Sequence, residues 1–127
     1  MSDDFKYKEL TRQIIGAAME VLNELRPGQD ERIYERALEV ELGSRGIGVV
    51  RQKQFPVTYK GVPVGTFIPD MIGGDAVIVD PKVVTDFHEQ HIAQMLGYLA
   101  ITGLEVALLL NFKHAKLEWK RVTRSQS

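Results

Sequence analysis

The sequence predicts an α/β fold, a mixed β-sheet flanked by helices with elements in the order α-α-β-β-β-α-β-β. Three observations predict it. Up to about residue 45, apolar side chains recur three and four positions apart, the period of amphipathic helices. From Val49 the pattern changes to short apolar or alternating runs, the sign of strands. A helical stretch at Phe87–Thr102 then separates two apolar strands, which suits a crossover between parallel neighbours.

The first helix spans residues 7–25, with Leu10, Ile14, Ile15, Ala18, Val21, Leu22 and Leu25 along one stripe. Arg26-Pro27-Gly28 ends it. The second begins near Asp30, a capping residue, and runs to Gly43 or Arg45, with Ile33, Ala37, Leu38, Val40 and Leu42 as its expected apolar side. Val49–Tyr59 and Val62–Ile72 read as strands joined by a tight Lys60-Gly61 turn. Gly73-Gly74-Asp75 turns the chain into a third strand, Asp75–Val83. In the Phe87–Thr102 helix, Ile92, Met95, Leu96 and Leu99 form the apolar side, and Gly103 closes it. Val106–Phe112 is apolar enough to be covered on both faces, and Leu117–Val122 reads as a final edge strand. A single domain over 1–127 is expected, with a tail frayed from about residue 124.

Composition excludes several classes. Hydrophobic residues make up 44% and charged residues 26%, an ordinary globular balance, and the net charge of −1 offers no global field for a polyanion. The absence of cysteine removes disulfides and thiolate metal sites. No apolar run reaches the roughly 20 residues of a membrane span. No membrane is therefore expected as partner, and a cytoplasmic location is the default. There is no Walker loop, nucleophile elbow or dinucleotide fingerprint.

The sharpest chemical signal is Asp80 and Lys82. Two apart on a strand, they share one face. The hairpin at Gly73-Gly74-Asp75 can bring Asp70 beside Asp80. Asp80 follows the buried-looking run Ala76–Val79, and a carboxylate there needs a partner, a metal or water. A salt bridge to Lys82 is the plain structural alternative. Glu31 sits in the first turn of the second helix, where the helix dipole favours a carboxylate in any case. Tyr34 follows at i+3 and reads as core. His91, Gln94 and Tyr98 share a face of the third helix, roughly opposite its apolar stripe. His88 and His91 have a metal-ligand spacing but no third ligand nearby.

Together these residues resemble the PD-(D/E)xK nuclease superfamily and, within it, the small GxxExxY proteins. The naming motif is Gly28-Gln29-Asp30-Glu31-Arg32-Ile33-Tyr34. The nuclease signature is Pro69-Asp70 followed by Asp80-Pro81-Lys82. His91-Ile92-Ala93-Gln94, Gly97-Tyr98-Leu99, Thr102-Gly103 and Leu108-Leu109-Leu110-Asn111-Phe112 extend the likeness from about Leu10 to Val122. The resemblance implies a restriction-endonuclease-like core. It also implies Glu31, Asp70 and Asp80 as acidic metal ligands, Lys82 as catalytic lysine and Gln94 as an auxiliary polar residue. Two departures stand out. Asp80 replaces the usual Glu, which draws the carboxylate back by roughly 1.5 Å. Pro81 has no N–H for a ladder but keeps the carbonyl that in this superfamily often touches the metal.

The implied chemistry is hydrolysis of phosphodiester bonds of nucleic acid, DNA ahead of RNA, with Mg²⁺ or Mn²⁺ held by Asp70, Asp80, Glu31 and the Pro81 carbonyl. Lys82 would orient the attacking water or stabilise transition-state charge. Arg51, Lys53, Lys60, Lys113, Lys116 and Lys120 are candidate phosphate contacts. A homodimer or partner protein is open. Two other readings compete: a catalytically inactive binding or assembly module that kept the fold, and a hydrolase of another substrate class.

Overall fold

Residues 7–124 are described, in a computed structural model. The tail expected to fray falls, beyond Arg124, outside them. The elements are α1 (Lys8–Leu25), α2 (Glu31–Ser44), β1 (Val49–Arg51), β2 (Phe55–Tyr59), β3 (Val62–Phe67), β4 (Met71–Gly73), β5 (Val77–Lys82), α3 (Glu89–Thr102), β6 (Val106–Asn111) and β7 (Glu118–Thr123). A five-stranded sheet has the order β1-β4-β5-β6-β7, and β2 and β3 form a separate two-stranded sheet. The fold is the mixed, helix-flanked α/β sheet that the sequence predicts. β5 and β6 run parallel through the α3 crossover, while every other pair is antiparallel.

The two longest expected strands are each broken in two. Val49–Tyr59 divides at Gln52, whose φ of +60° takes the chain out of the extended region. Val62–Ile72 divides at Ile68-Pro69-Asp70, so the order gains two strands before the crossover helix. The breaks release β2 and β3 from the main sheet as a hairpin closed at Lys60 and Gly61, which have φ of +50° and +79°. The turn into β5 uses positive φ at Gly74 and Asp75, and a Cβ on Gly74 would lie 2.8 Å from Leu10.

β5 and β6 occupy the middle of the sheet because they are apolar on both faces. Val77, Val79, Val106, Leu108 and Leu110 face one layer, where Ile14, Ala18 and Val21 of α1 and Leu38 and Leu42 of α2 cover them. Ile78, Ala107 and Leu109 face the other, under Met95 and Leu99 of α3. The buried seam of α2 is Tyr34, Leu38 and Leu42, four apart. Ile33 and Val40 fall on its flanks and are exposed, against the sequence expectation. No helix among the described residues is long and apolar enough to cross a membrane.

The end of β5 is tied down by Asn111, a fully buried polar residue. Its Nδ2 donates to the Val84 carbonyl at 2.8 Å and to Glu118 Oε1 at 2.9 Å. Its Oδ1 accepts the N–H groups of Val84 and Lys113, both at 3.1 Å. These bonds fix the chain just beyond Lys82. Asn111→Ala removes four hydrogen bonds made by a fully buried side chain and should cost about 2–4 kcal/mol in urea unfolding. A loss below about 0.5 kcal/mol would show that the tie contributes little.

Candidate active site at the end of β5

The β4–β5 ladder stops for a reason written in its sequence. Its last pair is Met71 opposite Val79. One step further along that register, Asp70 faces Asp80. The next step sets Pro69 opposite Pro81. The Lys82 carbonyl accepts the Phe112 N–H on the β6 side, so Pro81, one residue earlier, turns its backbone to the β4 side. Neither proline has an N–H to give, and the two strands cannot continue as a ladder. A cavity of about 210 Å³ lies at this point; Pro69 lines it and Pro81 does not.

Glu31, Asp70, Asp80, Lys82 and Gln94 all line this cavity. They arrive from four places: the first turn of α2, the Pro69-Asp70 corner, β5 and α3. Asp80 and Lys82 share the face of β5 that carries Ile78, and Lys82 Nζ stands 3.3 Å from Asp80 Oδ2. Glu31 reaches past the strand end, where its Oε1 accepts the Val83 N–H at 3.2 Å. Asp30 caps α2 by accepting the Arg32 N–H, which orients the turn that carries Glu31. Tyr34 fixes that turn from below. It is fully buried and stacks on Phe112 at 4.8 Å. Its hydroxyl donates to the Arg26 carbonyl at 2.6 Å and accepts the Gln29 N–H at 3.0 Å. Gly28, with φ of +109°, lets the intervening loop close.

The electrostatics are those of a site with surplus negative charge. Burial pushes the Asp80 carboxyl up to about 6; Lys82 opposes the shift, and the charges of Asp70 and Glu31 add to it. Glu35, one turn after Glu31, is also raised, first by burial and then by Asp70, against the pull of Arg51. Among the described residues, no three carboxylate or imidazole groups are already drawn together as a metal cage. Asp80 is engaged by Lys82 and Glu31 by a backbone N–H.

Other sequence candidates are used differently. Arg51 is bound to Glu35 and Glu39, so its guanidinium ties β1 to α2 and is not a free phosphate contact. His91 Nδ1 accepts the His88 N–H at 3.0 Å and closes the first turn of α3. Its proton affinity is lowered by burial and by the charges of Lys82 and His88. Sequence reasoning missed the apolar wall of the cavity, where Phe67 stacks on Tyr98 at a centroid distance of 4.0 Å. The available signal was an aromatic residue three positions before Asp70, facing one four positions after Gln94.

Asp80 carries a stability signature. Its carboxyl titrates near 3.8 in the unfolded chain and near 6 in the native one. Between those values the native protein keeps a proton that the unfolded chain has released. Stability therefore falls as pH rises through that window and stays reduced above it. Asp80→Asn should be more stable than wild type by roughly 1–3 kcal/mol in urea at pH 7.5, with the gain vanishing near pH 4. Equal stability at pH 7.5 would show that Lys82 fully compensates the burial.

A family model described as the PD-(D/E)XK nuclease superfamily matches residues 8–122. Among solved structures, an alkaline exonuclease (LHK-Exo) from Laribacter hongkongensis is 15% identical, with 84% of this chain and 76% of that chain covered and a TM-score of 0.49. LHK-Exo in complex with dAMP is 13% identical, with 90% and 82% covered and a TM-score of 0.50, a likeness of fold. No curated protein matches. With its motif residues gathered at the end of β5 and the family model spanning nearly all of its length, this chain belongs to the PD-(D/E)XK nuclease superfamily.

Proposed function

We propose that the protein is a Mg²⁺- or Mn²⁺-dependent nuclease that hydrolyses phosphodiester bonds, DNA ahead of RNA, and that it is one of the small GxxExxY members of its superfamily. The observation that carries this reading is the convergence of Glu31, Asp70, Asp80, Lys82 and Gln94 on one cavity. The donor set suits a hard divalent cation, because Asp70, Asp80, Glu31 and the Pro81 carbonyl offer only oxygen. The Pro81 carbonyl turns towards Pro69, which has no N–H to occupy it. The raised proton affinity of Asp80 is relieved by any cation, a proton included. When bound, the cation supplies charge to the scissile phosphate and acidity to a water.

The chain's own groups supply the rest. Lys82 Nζ, beside Asp80, can orient the attacking water or donate a hydrogen bond to a phosphate oxygen gathering charge. Gln94 adds a neutral donor and acceptor from the α3 side and can orient the water without adding charge. Phe67 and Tyr98 close the cavity on the apolar side and limit access of bulk water.

Calorimetric titration with Mn²⁺ should show one site in wild type and none in the Asp70→Ala, Asp80→Ala double variant; equal affinity would remove these carboxylates from the site. Lys82→Ala should keep metal affinity but lose about 100-fold or more in cleavage rate across DNA and RNA panels. An unchanged rate would take Lys82 out of the chemistry. Absence of metal-dependent cleavage on every substrate would favour a non-catalytic module.

A further inference from the structure

The β2–β3 hairpin is outside the main sheet and is largely exposed on both faces. Tyr59, Val62 and Val64 are 64%, 59% and 62% exposed and lie together across the hairpin turn, where Tyr59 pairs with Val62. A two-stranded ribbon in water is marginal by itself. This one is anchored at its base, where Phe55 lies 6.4 Å from Phe67 and Phe67 stacks on Tyr98 of α3. Among the described residues, no such ring contact reaches the far end.

Charge and position indicate what covers it. From Gln52 to Pro69 the chain has no Asp or Glu, although acidic residues outnumber basic ones overall. The segment's charges are Lys53 and Lys60. Each ammonium lies 5.4 Å from the centroid of an aromatic ring, Phe55 and Tyr59 respectively, with no carboxylate partner among the described residues. The hairpin runs directly into the site, because Phe67, Ile68 and Pro69 are also cavity wall. The base of the ribbon therefore stands beside any polyanion with a phosphate at Asp80 and Lys82.

We propose that the β2–β3 hairpin is the substrate-gripping arm of the enzyme. It lies in a groove of duplex nucleic acid flanking the scissile phosphate, with Lys53 and Lys60 on phosphates and Tyr59, Val62 and Val64 against sugars and base edges. A two-stranded ribbon matches the width of the major groove. The arm gives a chain of net charge −1 a local basic contact that the acidic cavity lacks. This inference rests on the nuclease reading and adds to it where the duplex lies.

The test uses the full chain with a fluorescent duplex oligonucleotide. Lys53→Ala with Lys60→Ala should raise KM and the metal-free dissociation constant about tenfold, leave kcat within twofold, and flatten the log–log salt slope by about 1.8. The cysteine-free chain provides a second readout that does not depend on weakened binding. A photo-crosslinker at Val64→Cys should capture the duplex, and one at Trp119→Cys, on edge strand β7, should not. Wild type that binds and cuts duplex with no change in the double variant and no crosslink from position 64 overturns the arm alone. Wild type that neither binds nor cuts nucleic acid overturns the arm and the proposed function together. A crosslink from position 64 to a second copy of this chain, with dimers in sedimentation, overturns the arm in favour of self-association.

Discussion

The site depends on a carboxylate carried to the end of a buried central strand. β5 is apolar on both faces from Val77 to Val79 and then presents Asp80 before the chain reaches water. That placement is unfavourable in isolation, as the upward shift of its proton affinity shows. It is offset in part by Lys82 on the same strand face. The surrounding elements hold this arrangement open. Pro69 and Pro81 stop the ladder where Asp70 would otherwise pair opposite Asp80. Asn111 fixes the chain beyond Lys82, and the Tyr34 hydroxyl holds the loop that aims Glu31.

The division of labour inside the motifs follows from burial. In the Gly28, Glu31, Tyr34 triplet, the glycine supplies a backbone conformation, the tyrosine supplies a buried anchor, and the glutamate faces the cavity. Glu35 shows the cost of placing α2 so close to the acids. It is a buried carboxylate within the field of Asp70 and Glu31, and Arg51 is committed to holding it.

Much of this was legible in the sequence, for physical reasons. The helical periods, the two type I′-compatible turns and the doubly apolar Val106–Phe112 run each reflect one local constraint, and each appears where expected. The shared face of Asp80 and Lys82 follows from strand geometry alone. The strand breaks at Gln52 and Pro69 were not legible as breaks. A positive φ at a glutamine has no composition signal, and proline is tolerated at a sheet edge. Val40 looked like core because periodicity gives a stripe and not its width. The commitment of Arg51 to Glu35 and Glu39 required knowing that β1 lies beside α2, a tertiary fact. The meeting of Glu31 and Gln94 at one cavity was reached through resemblance, since no local rule joins two helices so far apart in sequence.

Diffraction from crystals soaked in Mn²⁺, recorded to give an anomalous difference map, tests the metal site most directly. One strong peak is expected in the cavity at the end of β5, within coordination distance of the Asp70 and Asp80 carboxylates and the Pro81 carbonyl, with Asp80 turned from Lys82 towards the ion. A map with no peak there at saturating Mn²⁺, or with the Asp80–Lys82 pair intact and manganese bound elsewhere, would contradict it.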